Sequence, residues 1–264
     1  MCTGNPYSTK TEIFDMKNPN YQCTNAPQFP KNLLGATGQW INETTILICG
    51  GYNIVSSRVS IKECFIGQDG SFRPSNVNLQ EPRGFSSSVI ENQDMLIFGG
   101  SNTLVNQQSS HFNTIERVSL KTETSHVAGI LPFTFSYGCV LKYNQEVMVV
   151  AGSQNRTYSS ATWTASIANL YDWNPGPSLQ EKRDDQACGV LSNLNIGIVA
   201  GGNYLKSTEL INFMERNVVL GEKYSLVKFK TAVLQLDSNA KKGGRALSRD
   251  NRFKRREIQI SSVK

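Results

Sequence analysis

The sequence predicts an all-β fold in which small antiparallel sheets stack radially, and three observations carry that expectation. First, an apolar run ending in a glycine doublet recurs: Ile46 to Gly51 (ILICGG), Leu96 to Gly100 (LIFGG), Val147 to Gly152 (VMVVAG) and Ile196 to Gly202 (IGIVAGG). The first doublet positions, Gly50, Gly99, Ala151 and Gly201, lie 49, 52 and 50 residues apart, a period that marks a repeat architecture. Second, a small-and-apolar segment precedes the run, as in Ser87 to Ile90, Gly138 to Leu141 and Gly189 to Leu191. The turn residues Asn92-Gln93-Asp94, Tyr143-Asn144-Gln145 and Asn193-Leu194-Asn195 join the two as a hairpin. Third, a further strand pattern is found at Thr11 to Met16 (TEIFDM), Ile115 to Leu120 (IERVSL), Thr208 to Phe213 (TELINF) and Arg256 to Ser261 (REIQIS). Gly243 and Gly244 form a degenerate fifth doublet that has lost its apolar run.

Each element has a physical reason. The apolar runs are too short for helices and, flanked by turns, read as strands buried on both faces. A sheet sandwiched between two similar sheets meets that requirement. The doublet glycines Gly50, Gly51, Gly99, Gly100, Gly152, Gly201 and Gly202 are read as structural, because the chain must leave its second strand through a tight, positive-φ conformation close to neighbouring backbone. Serines 86–88 read as packing where innermost strands converge.

These residues resemble the kelch repeat, in which an apolar run and a Gly-Gly doublet are followed by a Tyr and a Trp before the next unit. The stretch Ala168 to Arg183 (ANLYDWNPGPSLQEKR), followed by CGVL and IVAGG, is the best copy. Tyr171 and Trp173 stand near its aromatic positions; Arg183 opens the next unit, as Arg83 opens an earlier one. Phe72 stands where Trp is expected in the first full repeat. The resemblance implies a kelch-type β-propeller over residues 1–222, with a partial blade at 9–30 and full blades at about 36–82, 83–132, 133–182 and 183–220. Residues 223–264 would be a degenerate or truncated last blade with a basic tail. The ring would hold roughly five or six blades, according to whether the partial segments share a sheet.

Charge and cysteines bound the function. The net charge of +6 is uneven: residues 223–264 hold twelve Lys or Arg against three Asp or Glu. The run Arg252, Lys254, Arg255, Arg256 has few interleaved aromatics and no nucleic-acid-binding motif, so it reads as solvated surface, and no nucleic-acid partner is expected. No apolar stretch reaches the roughly 18 residues of a membrane span, and residues 1–20 show no secretory leader. Cys2, Cys23, Cys49, Cys64, Cys139 and Cys188 form no C-x-x-C pair. Cys49 ends a second strand and Cys64 lies in a third, which makes them a candidate disulfide. Asn42 and Asn155 head sequons in turns and are candidate glycosylation sites.

Some kelch propellers are oxidases holding copper through Tyr and His. This chain has only His111, read as a solvated loop residue, and His126, read as a partly buried strand residue. No metal, cofactor or catalytic residue is therefore expected. Asp184 and Asp185 are adjacent, and strand neighbours point to opposite faces, so no acid–base pair is expected there. The resemblance implies instead a loop face that binds a partner protein. Loops 52–57, 102–113 and 154–164 carry the candidate contacts Tyr52, Phe112, Arg156, Tyr158 and Trp163, and aromatics and Arg most often anchor interfaces. The even cysteine count and the sequons favour a secreted, non-enzymatic binding module with an unidentified partner. An intracellular kelch adaptor serving ubiquitination or cytoskeletal attachment is the alternative, and a galactose-oxidase-like enzyme is a second.

Overall fold

A computed structural model describes residues 9–14, 23–53, 55, 59–102, 109–202, 204–221 and 233–234. The third-strand copy at 256–261, the doublet at 243–244 and the basic run at 252–256 lie outside them. Four sheets form the body, each an antiparallel meander. The first holds Thr37–Trp40, Ile46–Cys49, Cys64–Gln68 and Ser71–Pro74. The second holds Ser87–Glu91, Asp94–Phe98, Thr114–Ser119 and Thr124–Ile130. The third holds Cys139–Tyr143, Glu146–Val150, Thr162–Ser166 and Asn174–Pro175. The fourth holds Ala187–Leu191, Ile196–Ala200, Thr208–Asn212 and Asn217–Leu220, with Val233–Leu234 added parallel to its innermost strand. Thr11–Phe14 and Cys23–Ala26 make a further antiparallel pair.

The innermost strands of consecutive sheets lie side by side, so the sheets are blades of an all-β propeller. Small polar side chains stitch these strands together. Thr37 Oγ1 and Ser88 Oγ are 2.6 Å apart, Gln39 Nε2 donates to the Ser88 carbonyl at 2.7 Å, and Val140 N donates to Ser87 Oγ at 3.0 Å.

Each second strand alternates its contacts between two neighbours. Met95 and Ile97 pack with Leu47 and Ile66 of the first blade, while Leu96 and Phe98 pack with Val147 and Val149 of the third. Met148 and Val150 of the third blade in turn meet Val199 and Ile211 of the fourth. This is why the runs read as continuously apolar: both faces of the strand are core.

The doublets clasp one blade to the next. Gly50, Gly99, Ala151 and Gly201 have φ of 66°, 58°, 52° and 67°, and the amide that follows bonds the segment leading into the next blade. Gly51 N donates to Arg83 O at 2.8 Å, Gly100 N to Phe135 O at 2.6 Å, and Gly152 N to Arg183 O at 2.7 Å.

Those shared bonds make Arg83, Phe135 and Arg183 equivalent, and Leu33 falls at the same place in the first blade. Each faces one position of its own blade's third strand, namely Phe65, Glu116, Trp163 or Glu209. The second and fourth blades fill this site with buried ion pairs, Arg83–Glu116 at 3.1 Å and Arg183–Glu209 at 3.0 Å, all four side chains at most 1% exposed. The first and third fill it with apolar pairs, Leu33 beside Phe65 and Phe135 with Trp163 in one core.

Two disulfides among the described residues complete the framework. Cys49 and Cys64 are register partners, 4.1 Å apart at Cα, as their strand positions lead one to expect. Cys139 and Cys188 bond across the innermost strands of the third and fourth blades, 6.4 Å apart at Cα. That second pairing has no signal in the sequence, since a separation of 49 residues is simply one repeat period. Peptide mapping of denatured, unreduced protein after alkylation should find Cys49, Cys64, Cys139 and Cys188 unlabelled; label on any of them would contradict these links.

Candidate functional site

Post-doublet loops and the segments leading into each blade share one face, where they pair. Leu33–Leu34 pairs with Tyr52–Asn53, Ser101–Asn102 with Ser110–His111, and Phe135–Ser136 with Ser153–Gln154, which then pairs with Thr157–Tyr158. Near the axis on this face, four equivalent residues, Gly35, Phe85, Tyr137 and Asp185, all take left-handed backbone, with φ of 66°, 56°, 55° and 52°. Amide bonds link them in series: Phe85 N to Gly35 O at 2.7 Å, Tyr137 N to Phe85 O at 2.9 Å, and Asp185 N to Tyr137 O at 2.7 Å. The Phe85 and Tyr137 rings stack at 4.4 Å, and a Cβ on Gly35 would stand 2.5 Å from the Phe85 ring. Bulky L-residues adopt this conformation at a cost of roughly 1–3 kcal/mol each, which the bond series offsets.

Beside this series lies a bowl of about 570 Å³. The second blade supplies Ser109 and His111, the third Tyr137, Ser153, Arg156 and Tyr158, and the fourth Asp184 and Asp185. Arg156 donates to the Ser109 carbonyl at 2.9 Å, and His111 Nδ1 lies 3.2 Å from Ser136 Oγ. Burial, and then the Arg156 charge, hold His111 below its ordinary value, so the ring is neutral at pH 7. Burial raises Tyr137, and the Asp185 charge adds to it. Asp184 is buried at 8% exposure; it is hydrogen-bonded to Tyr158, yet its Oδ1 has no hydrogen-bond partner. Burial pushes its carboxyl above the ordinary value of 3.8.

A raised carboxyl pKa means the folded protein keeps a proton that the unfolded chain has already lost. This contribution to stability is complete below pH 3.8 and disappears as pH rises through the raised value. Asp184→Asn should therefore melt higher than wild type at pH 7. The gap from wild type should close in scanning calorimetry toward pH 3.8. A variant that melts lower at pH 7 would show instead that the carboxylate stabilises the fold.

The candidate contacts read from the sequence divide. Arg156 and Tyr158 lie in the bowl wall. Tyr52 is half-buried in the small sheet of the first blade. The Phe112 ring lies 4.6 Å from the Arg83 guanidinium and seats it. Trp163 is a third-strand residue against Phe133, not a loop residue, because its strand begins at Thr162. The histidine expectations invert: His111 is half-buried and His126, though in a strand, is exposed. Asp184 and Asp185 are not on a strand. They occupy the bend before Ala187–Leu191, where the left-handed turn at Asp185 lets both line one bowl.

Asn42 and Asn155 are exposed in turns. Asn42 Oδ1 accepts Thr44 N and Thr45 N, both at 2.9 Å, and Asn155 Oδ1 accepts Thr134 N at 3.1 Å. Among the described residues no group of three or more His, Cys, Asp or Glu is arranged to hold a metal, and no helix is long and apolar enough to cross a membrane.

No known family profile matches the chain, and no curated protein matches it. Among solved structures the chain is similar to YjhT, with a TM-score of 0.71 at 12% identity, covering 86% of this chain and 81% of that one. At that identity the likeness establishes the fold, an all-β propeller, and nothing of the chemistry.

Proposed function

We propose that this chain is a kelch-like binding module, not an enzyme, whose loop face receives a partner protein. The observation that carries the reading is the bowl: three blades converge on it, strained backbone shapes it, and it opens beside the exposed ring of Tyr158. Strain retained on a loop surface is a mark of function rather than of stability. The open wall supports binding over catalysis, since water has free access where an enzyme would exclude it. The two disulfides and the exposed Asn42 and Asn155 turns support an oxidising compartment, and so a secreted, glycosylated protein.

The test compares cross-linked partners captured from the native source by wild type, by an Arg156→Glu/Tyr158→Ala variant, and by Arg73→Glu. Arg73 sits on the first blade's outermost strand and lies outside the bowl. A partner lost only with the bowl variant supports the reading, while equal capture by all three overturns it.

A further inference from the structure

We infer that the Cys139–Cys188 disulfide is a redox latch on the bowl, opened by a dithiol reductant without unfolding the propeller; the inference rests on the protein-binding reading above and assigns that face its regulation. The register of the blades carries it. Thr37, Ser87, Cys139 and Ala187 are equivalent, because each pairs with the residue just before its blade's doublet. Each of the first three blades joins this position to the residue one further along in the following blade. Thr37 Oγ1 meets Ser88 Oγ at 2.6 Å, Ser87 Oγ accepts Val140 N at 3.0 Å, and Cys139 bonds Cys188. The disulfide thus stands where the other two junctions hold with hydrogen bonds. Opening it leaves a junction of a kind the propeller already keeps together without a covalent link, and the packing of Leu141 and Val150 with Val199 and Ile211 stays in place.

The same bond ties two walls of the bowl. Cys139 follows Tyr137 by two residues and Cys188 follows Asp185 by three, and these two bowl residues are joined by Asp185 N donating to Tyr137 O at 2.7 Å. While the disulfide is closed, the third-blade and fourth-blade walls are fixed against each other. Access decides which disulfide a reductant reaches, since exchange begins with attack on a sulfur. Cys49 and Cys64 are at most 1% exposed, whereas Cys188 is half-buried. A thiolate of the dithiol attacks the Cys188 sulfur, forming a mixed disulfide and expelling Cys139, which takes up a proton. Gln186 Nε2, 3.8 Å from Cys139 Sγ, donates a hydrogen bond to that leaving sulfur. The reductant's second thiol then displaces Cys188, so the dithiol ends as a cyclic disulfide and the protein gains the electron pair and the protons as two thiols.

The experiment incubates the purified full chain with graded dithiothreitol at neutral pH, then alkylates it and maps the labelled peptides. Cys139 and Cys188 are expected to label at about tenfold less reductant than Cys49 and Cys64. In the protein so opened, hydrogen exchange at the Asp185 amide should quicken roughly tenfold, while the Phe85 amide, bonded to Gly35 O at the junction of the first and second blades, stays unchanged. Cys139→Ala/Cys188→Ala should reproduce the fast exchange without reductant, and Cys49→Ala/Cys64→Ala should leave it slow. Circular dichroism establishes that each form is folded. Labelling of Cys49 and Cys64 first or together with the other pair, unfolding when Cys139–Cys188 opens, or an Asp185 amide indifferent to the bond would each overturn the inference. Capture of the cross-linked partner is then compared between wild type and Cys139→Ala/Cys188→Ala. A change in capture is expected. If a partner lost with the Arg156→Glu/Tyr158→Ala variant is captured equally by both, protein binding stands and the latch falls. Selective reduction and fast exchange with no partner captured by any form do the reverse.

Discussion

Glu116→Ala is expected to destabilise the protein by about 3–5 kcal/mol, the usual loss when one partner of a buried ion pair is removed. The variant leaves the Arg83 guanidinium charged at 1% exposure, against the Gly99 carbonyl, Thr114 and the Phe112 ring but without its carboxylate. It also orphans Gln80 N and Ser125 Oγ, both of which donate to the lost carboxylate. The third blade shows how the same space is filled without charge, since Phe135 and Trp163 occupy the equivalent positions. The double variant Arg83→Phe/Glu116→Trp should therefore lose less stability than Glu116→Ala alone. Urea unfolding midpoints measure both. A double variant worse than the single would mean that the Gly99 carbonyl, orphaned when Arg83 is removed, outweighs the relief of charge.

Gly99→Val should have the larger effect and yield no folded protein, a loss beyond about 4 kcal/mol. Its φ of 58° is poorly accessible to a β-branched residue, and its Cβ would stand 2.1 Å from the Phe135 carbonyl oxygen. That oxygen accepts the clasp bond from Gly100 N, so relief of the clash would separate the second blade from the third. Ala151 occupies the corresponding position in the third blade at φ 52°, which shows that a single methyl is tolerated there when the neighbouring segment is placed for it. Ala151→Gly should accordingly change stability by less than about 1 kcal/mol. Circular dichroism of the soluble fraction distinguishes the two; a folded Gly99→Val would remove the doublet from its role as the inter-blade clasp.

Much of the site escaped a linear reading for a definite reason. Arg83 and Arg183 stand out in the repeats LQEPR and LQEKR, and Glu116 and Glu209 are visible in IERVSL and TELINF. Only the shared third-strand register joins each pair, although their co-occurrence in the second and fourth repeats, and absence from the others, was a usable signal. Asp184 and Asp185 were misplaced because alternation holds only inside a strand, and they precede one. Trp163 was misplaced because its strand starts at Thr162, inside the stretch 154–164 that reads as loop.

By itself the sequence determined the blades: apolar runs too short for anything but strands, doublets that only glycine or a small residue can occupy, and a period of one sheet. These are local properties, set by backbone sterics and by burial on two faces, and local pattern records them. Tertiary structure alone decided that Cys139 reaches Cys188, and that described residues from three blades line one bowl. Such contacts depend on how blades rotate against one another about the axis, and a repeat that spaces every blade alike carries no mark of which neighbours will touch.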